Sequence, residues 1–388
     1  MNTPAKTPFS AGAPKAKIIH VLECGDLSGC SRLVSRIANA LDKNIFDVYV
    51  VYALRPGCTF EQFASLFGPQ IRLIYLPLMR RHPSPCRDFG ALLALRRILC
   101  AAKPDAVHLH SSKAGFLGRL AAVAAGVPRI YYSSHGYSFR MRDASLVSRA
   151  FYWLLEFMIS KVGTIIVNSP NELKSAALLA WPRQAIPCSN AVHVSNFSPA
   201  YKEPSQTIEI MACGRVTCAK NPAAFIRLAE TALAKNPCLR FTWIGSGDEA
   251  EREEFLRRSA SLPSDRFALT GWLDSESVKQ RVAQADIFVH YSLWDACPIV
   301  VTEAMALGKP VVGSRAVDQI REGENGFIVK TEVQLLEKVL LLASDAKLRT
   351  EMSRASRRIA EQDYDFGPYI QKLSSLYLGR TAAASGQQ

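Results

Sequence analysis

The sequence predicts an α/β protein made of two successive series of strand–helix–strand units with parallel sheets. Three observations carry that expectation. Short, almost wholly apolar runs at 17–22, 105–110, 208–213 and 285–290 alternate with longer stretches whose apolar residues recur at helical spacing. That is the pattern of strands buried on both faces. Glycine-bearing turns at 24–29 and 245–248 stand where strands run into helices, as in doubly wound folds. The length, 388 residues, suits two domains of ordinary size.

Composition narrows the function. Apolar residues make up 48% and charged residues 21%, the balance of a globular chain large enough to need no staples. The ten cysteines form no C-x-x-C pair and no histidine cluster accompanies them, so no zinc site is expected and reduced thiols in a cytoplasmic protein are. Residues 1–16 lack the apolar stretch of a secretory signal and read as a disordered leader. The apolar run over 150–167 is interrupted by Glu156 and Lys161, which argues against a membrane-spanning helix. All of the net charge of +13 sits in the first half, with 23 Lys and Arg against 10 Asp and Glu over 1–190. No helix-turn-helix, zinc-finger or RNP-type motif accompanies it, so an anionic membrane surface is the expected partner and nucleic acid is not.

Along the chain, the strand at 17–22 runs into the turn at 24–29. A helix over 31–41 follows, with Leu33, Val34, Ile37 and Leu41 on one face, and then a strand at 48–52. The turn lacks a full G-x-G-x-x-G, so a dinucleotide oxidoreductase is not indicated. A strand at 71–78 leads to Arg80, Arg81, His82 and Arg87, and to a helix carrying Arg96 and Arg97. With Leu78, Met79 and Phe89 these form either a solvated basic surface or a patch for anionic head groups. The strands at 105–110 and 129–132 end at His110 and just before His135, on the edge where ligand-binding loops emerge. The aromatic run at 150–159, flanked by Arg140, Arg142 and Arg149, reads as a buried helix, with monotopic membrane contact as the alternative. A strand at 163–169 is read as the last of the first domain, with the linker near 186–199.

The second series opens with the strand at 208–213. Arg215 and Lys220 follow, five apart on one loop, and offer a bidentate fork and a point charge to phosphate oxygens. A helix over 223–234, a strand at 240–244 and the turn carrying Gly245 and Gly247 come next. The strand at 285–290, a loop, a helix over 301–307 stopped by Gly308 and a strand at 310–313 complete the unit. Asp295 lies in that loop and Glu303 near the helix start, whose free N–H groups can hold an anion. The D-x-D at 363–365 lies between helical patterns, not after a strand, and reads as chance.

Glu303-Ala304-Met305-Ala306-Leu307-Gly308-Lys309-Pro310, with a carboxylate eight positions earlier, resembles the donor-site motif of GT-B glycosyltransferases of the retaining family 4. Asp295 stands where the family has glutamate, Ala296 where it has glycine, and Asn190-Ala191-Val192-His193 where it has Asn-Gly-Val-Asp. The His-x-His-Ser-Ser-Lys-Ala-Gly segment from His108, followed by His135-Gly136, resembles the family's bacterial surface-polysaccharide branch. The resemblance spans roughly 17–378. It implies an N-terminal acceptor-binding Rossmann-like domain (17–195) and a C-terminal nucleotide-sugar-binding one (200–362) facing a central cleft. A C-terminal helix (363–380) returns to the first domain, and the tail from 381 is disordered. It implies Arg215 and Lys220 on the donor diphosphate, Glu303 on the ribose, Asp295 on the donor sugar and His135 beside the reacting carbon. Gly29, Gly245, Gly247, Cys297, Pro298, Ile299 and Val300 would border nucleotide and sugar, with His110 and Lys113 on the acceptor side. The implied reaction moves a sugar, with retention, from a nucleotide-diphosphate sugar (UDP-sugar favoured) to a lipid-linked or saccharide acceptor in bacterial surface polysaccharide synthesis. No metal or other cofactor is expected, and the place of action is the inner face of the cytoplasmic membrane. A nucleotide-sugar epimerase of similar fold and, given the departures, a non-catalytic scaffold subunit are the alternatives.

Overall fold

The computed structural model describes residues 15–27, 29–80, 83–179, 185–202 and 205–380. The leader up to residue 14, Arg81 and His82 of the basic patch, and the tail from 381 lie outside the described residues.

The first sheet contains β1 (Ala16–Gly25), β2 (Phe46–Leu54), β3 (Arg72–Tyr75), β4 (Ala106–His110), β5 (Ile130–Ser133), β6 (Thr164–Val167) and β7 (Ala185–Pro187), in the order β3-β2-β1-β4-β5-β6-β7. The second contains β8 (Ile208–Cys213), β9 (Leu239–Ile244), β10 (Phe267–Leu269), β11 (Ile287–His290), β12 (Val311–Ser314) and β13 (Gly326–Val329), in the order β10-β9-β8-β11-β12-β13. Every pairing is parallel. Each sheet therefore starts in its middle, winds to one edge and then builds the other. The direction reverses between β1 and β4 and between β8 and β11. Loops leaving those neighbouring strands diverge and open a crevice at the carboxyl edge.

Helices cover both faces of the first sheet. On one face, α1 (Gly29–Ala40) and the last helix, α13 (Phe366–Tyr377), pack on Ile18, Leu22, Val48 and Val50. On the other, α3 (Pro85–Ala102) and α4 (Ser112–Ala124) pack on Ile19, Val21, Val107 and Leu109. A short α2 (Phe60–Ala64), closed by a capping box at Thr59, was not expected from the sequence. In the second half, α7 (Pro222–Lys235) and α11 (Glu332–Ser344) cover one face. The other carries α10 (Ile299–Ala306) and the end of α12 (Ala346–Asp363). The D-x-D stretch has structural work: Asp363 pairs with Arg321 at 2.5 Å, and Asp365 caps α13 by accepting from Gly367 N at 3.0 Å.

Three sequence expectations need correction. β7 follows the strand read as the last of the first domain, because Ala185–Pro187 pairs in parallel with β6. Met79 is fully buried, so only Leu78 and Phe89 of the proposed apolar trio face outward. The helix at 150–159, α5 (Leu146–Met158), is not buried: Glu156 is its one buried residue, while Leu146, Val147 and Met158 are 78%, 80% and 69% exposed. The stripe through Tyr152 and Glu156, four residues apart, turns inward, with Ser148, Arg149 and Leu155 half-buried beside it. Glu156 accepts from the buried Arg119 at 2.6 Å and from Tyr132 Oη at 2.6 Å, which anchors α5 and leaves its apolar side outward.

Candidate active site

The crevice is built by loops that leave the strands flanking each reversal. On the second-domain side, Arg215 sits directly after β8, and a single 3-10 turn (Cys218–Lys220) brings Lys220 back beside it. Asn221 ends that turn in the left-handed region, with Pro222 opening α7. The glycine turn after β9 must come close to this loop. A Cβ on Gly245, whose φ is +125°, would lie 2.3 Å from the Gly214 carbonyl oxygen. A Cβ on Gly247 would lie 2.8 Å from Val216 O. Gly29 differs, since a Cβ there would meet nothing within 4 Å and its place at the start of α1 is not sterically required.

The charged groups of the crevice are paired. Arg215 reaches across from the second half to Asp26, after β1, at 3.3 Å, and Arg55 supports the same carboxylate at 3.2 Å. Arg36 of α1 donates to Glu303 of α10 at 2.7 Å, a second bridge between the halves. Lys220 pairs with Asp295, which also accepts from His290 Nε2 at 2.9 Å in the tautomer that protonates that nitrogen. Burial alone would push the Asp295 carboxyl up; Lys220 and His290 override it and hold it below the usual carboxylate range. The turn into α10 is tight. Cys297 is buried at φ +47°, its carbonyl accepting from Asn190 Nδ2 at 3.1 Å. Pro298 then caps the helix and Ile299 and Val300 form its first turn.

The first-domain wall carries His135, also left-handed at φ +50°, followed by Gly136 at φ +100°. The Gly136 N–H donates to Glu172 Oε1 at 3.2 Å, and Glu172 also accepts from Asn168 N at 2.5 Å and from Ser134. A Cβ on Gly136 would stand 3.7 Å from the Ala296 methyl, so this turn touches the loop that carries Asp295. His135 Nε2 lies 3.0 Å from His110 Nδ1, and its Nδ1 lies 3.2 Å from Asn168 Nδ2. The acceptor-side expectation for His110 needs correction, because β4 holds it fully buried behind His135. Lys113 pairs with Asp88 at 2.9 Å, and its N–H bonds Glu23 at 3.2 Å.

The parallel register of β1 and β4 sets His20 beside His108 and Leu22 beside His110. Among the described residues, His20, His108 and His110 form the group able to bring three ligand nitrogens within 4.8 Å. Most of those nitrogens are already engaged. His20 Nδ1 meets His110 Nε2 at 3.0 Å, and His108 bonds Tyr377 Oη at 2.7 Å and Ser133 Oγ at 3.0 Å. The sequence hid this cluster because 88 and 90 residues separate its members.

The description "Glycosyl transferase 4-like domain" matches residues 28–189, and "Glycosyl transferases group 1" matches 194–359. The chain is a GT-B glycosyltransferase of family 4. This glycosyltransferase is 25% identical over 383 residues to the UDP-Gal:alpha-D-GlcNAc-diphosphoundecaprenol alpha-1,3-galactosyltransferase of Escherichia coli, covering 94% of this chain and 97% of that one. It is 25% identical to the putative glycosyltransferase EpsF of Bacillus subtilis, with 93% and 96% covered. Its fold matches that of Anabaena HepE, solved with UDP and glucose, at a TM-score of 0.76, with 16% identity and coverage of 94% and 100%. These relatives give the epimerase alternative no support.

Several residues of the glycosyltransferase's crevice escaped the sequence reading. Asp26 and Arg36 carry no signal of their own, since each meets a partner that comes from the other half. His290, at the carboxyl end of β11, could have been found by the strand-end rule that singled out His110 and His135.

Three buried histidines of the first sheet, with the half-buried His135 in the loop after β5, set an acid limit. Burial lowers His135 to about 4. Burial and then the charge of Lys43 lower His20 to about 3. His108 and His110 are held well below 6.5, first by burial. Below pH 6.5 the unfolded chain takes up protons that the folded chain refuses, so this stability is complete above pH 6.5 and is lost as pH falls toward the folded values. Each histidine then costs up to about 1.4 kcal/mol per pH unit. Urea midpoints should fall steeply between pH 6.5 and 4.5; a flat profile there would show that these rings are not buried and neutral.

Proposed function

We propose that this glycosyltransferase transfers a sugar from a UDP-sugar to a lipid-linked or saccharide acceptor in bacterial surface polysaccharide synthesis, with retention and without a metal ion. The observation that carries the reading is the position of Arg215 and Lys220. Two cations from one loop face carboxylates in the crevice, and one of those carboxylates, Asp295, lies four residues before the start of α10. A diphosphate can displace Asp26 and Asp295 from these cations, because it offers more oxygen acceptors in the bidentate geometry that arginine favours. The same cations then stabilise the charge that grows on the leaving diphosphate, the work that Mg²⁺ does elsewhere. Asp295, released from Lys220, faces the donor sugar, and Glu303 the ribose.

Retention follows from a front-face substitution. The bond from the anomeric carbon to the phosphate oxygen breaks, the acceptor oxygen bonds to that carbon on the same face, and the acceptor proton passes to the departing phosphate. No pair of carboxylates on this chain is assigned to a double displacement of the kind retaining glycosidases use. The E. coli relative, named for a diphosphoundecaprenol acceptor, and HepE, solved with UDP, support the choice of acceptor class and base.

The outward side of α5 supports a membrane-facing first domain. Leu146, Val147, Phe151, Leu154 and Met158 are exposed on a helix preceded by Arg140 and Arg142, and exposed Phe89 and Leu93 of α3 stand among Arg87, Arg96 and Arg97. Apolar rings and aliphatic tips among arginines suit the head-group boundary of an anionic leaflet. No helix among the described residues is long and apolar enough to cross a membrane, so the contact proposed is peripheral.

Thermal unfolding in EDTA with UDP, GDP, ADP and dTDP tests the donor reading. A nucleotide at a hundred times its Kd adds about 2.7 kcal/mol of stability. A shift with UDP and not with the others is expected. No shift with any nucleotide would favour the scaffold reading, and a shift that requires added Mg²⁺ would overturn metal independence. Co-sedimentation with vesicles tests the membrane face. Binding to anionic and not to zwitterionic vesicles is expected, with a severalfold loss in a Val147→Glu, Phe151→Glu double variant; equal binding of the variant would contradict it.

A further inference from the structure

His135 on the crevice wall and the buried His110 and His20 behind it form, with Asn168, a continuous hydrogen-bonded chain. It runs from Asn168 Nδ2 to His135 Nδ1 at 3.2 Å, from His135 Nε2 to His110 Nδ1 at 3.0 Å, and from His110 Nε2 to His20 Nδ1 at 3.0 Å. An amide nitrogen can only donate, and a neutral imidazole donates from one nitrogen and accepts at the other. The direction of the whole chain therefore follows from its first member. Asn168 donates to His135, His135 Nε2–H donates to His110, and His110 Nε2–H donates to His20. The chain ends there, because His20 Nε2 is buried with no partner. A dead end is unsuited to carrying protons through the sheet, but it suits fixing ring orientation. His108 stands outside the chain: both its nitrogens are taken by Tyr377 and Ser133, and its ring packs on His110 with centroids 4.1 Å apart.

We infer that Asn168, His110 and His20 are positioning residues that lock His135 in a single tautomer and orientation, so that its ring braces the left-handed turn at 135–136 against the donor loop. This rests on the crevice being the transfer site. Both His135 ring nitrogens point into the domain, toward His110 and Asn168, and neither is left for a sugar in this arrangement. What the lock sets is the backbone of the turn. His135 and Gly136 both hold positive φ, a conformation that a non-glycine residue keeps only when its surroundings over-determine it. The three residues behind the ring supply that constraint, and the turn they hold lies against Ala296, next to Asp295.

The test is nitrogen-15 NMR of histidine-labelled, full-length protein at neutral pH. His20, His110 and His135 should each be neutral with the proton on Nε2. Replacing the amide by a hydrocarbon of similar size, Asn168→Leu, removes the group that sets the direction, and all three rings should lose their single-tautomer pattern together. A His110→Phe variant should lower kcat on the order of tenfold to a hundredfold while leaving KM for the nucleotide sugar unchanged, since small misplacements of a reacting geometry act on kcat. Protons on Nδ1, a metal-bound spectrum on His20 and His110, or a change confined to His135 in Asn168→Leu would each overturn the inference. So would a His110→Phe enzyme with altered KM and intact kcat. The spectra are read without turnover, so they stand or fall separately from the assignment of donor and acceptor. The wild-type spectrum alone decides if a variant does not fold.

Discussion

Two cations held in a crevice by carboxylates organise this glycosyltransferase. Arg215 and Lys220 come from one loop of the second half, and each would be costly to leave unpaired where the neighbouring side chains remove much of its water. Asp26 answers the first from across the crevice and Asp295 the second from within the same half. The Arg215–Asp26 and Arg36–Glu303 pairs tie the two halves together across the crevice. They also define what can replace them: a ligand carrying several anionic oxygens in a compact group. In the proposed function, the protein's own acids keep the site charge-balanced until such a ligand arrives.

The fold places these groups with little help from local sequence. Asp26 and the loop of Arg215 leave the central strands β1 and β8, and the Asp295 loop leaves β11, so all three lie beside the points where strand order reverses. Geometry that a chain rarely adopts recurs along the same carboxyl edge, and at Lys103 also away from it. His135, Asn221 and Cys297 are non-glycine residues with positive φ, and each stands at a turn that aims a loop into the crevice. Such strain persists where the surroundings over-determine it. At Cys297 the hydrogen bond from Asn190 does this, and at His135 the buried rings behind it do.

Much of this was legible in the sequence, for identifiable reasons. Parallel strands buried on both faces write themselves as short apolar runs, so β4 and β11 could be placed almost to the residue. The loop cations and the Glu303 stretch were legible because their spacing lies within single loops and helices. What was hidden depends on distant partners. His20 meets His110 only through the β1–β4 register, and Arg36 meets Glu303 only across the crevice. The reading of α5 as buried failed because an aromatic, apolar helix gives the same composition whether its surroundings are core or surface. The inward stripe through Tyr152 and Glu156 decided its orientation. The three-residue β7 was too short for any periodicity to reveal.

Calorimetric binding of UDP, UMP and uridine to the wild type and to Lys220→Ala measures the diphosphate contribution directly. The account predicts that the wild type gains affinity mainly at the second phosphate. It predicts that Lys220→Ala loses on the order of a hundredfold in UDP affinity, the scale of a removed charge-assisted contact, while uridine binding is unchanged. Equal UDP affinity in the two proteins would contradict the account, because Lys220 would then be no more than the structural partner of Asp295.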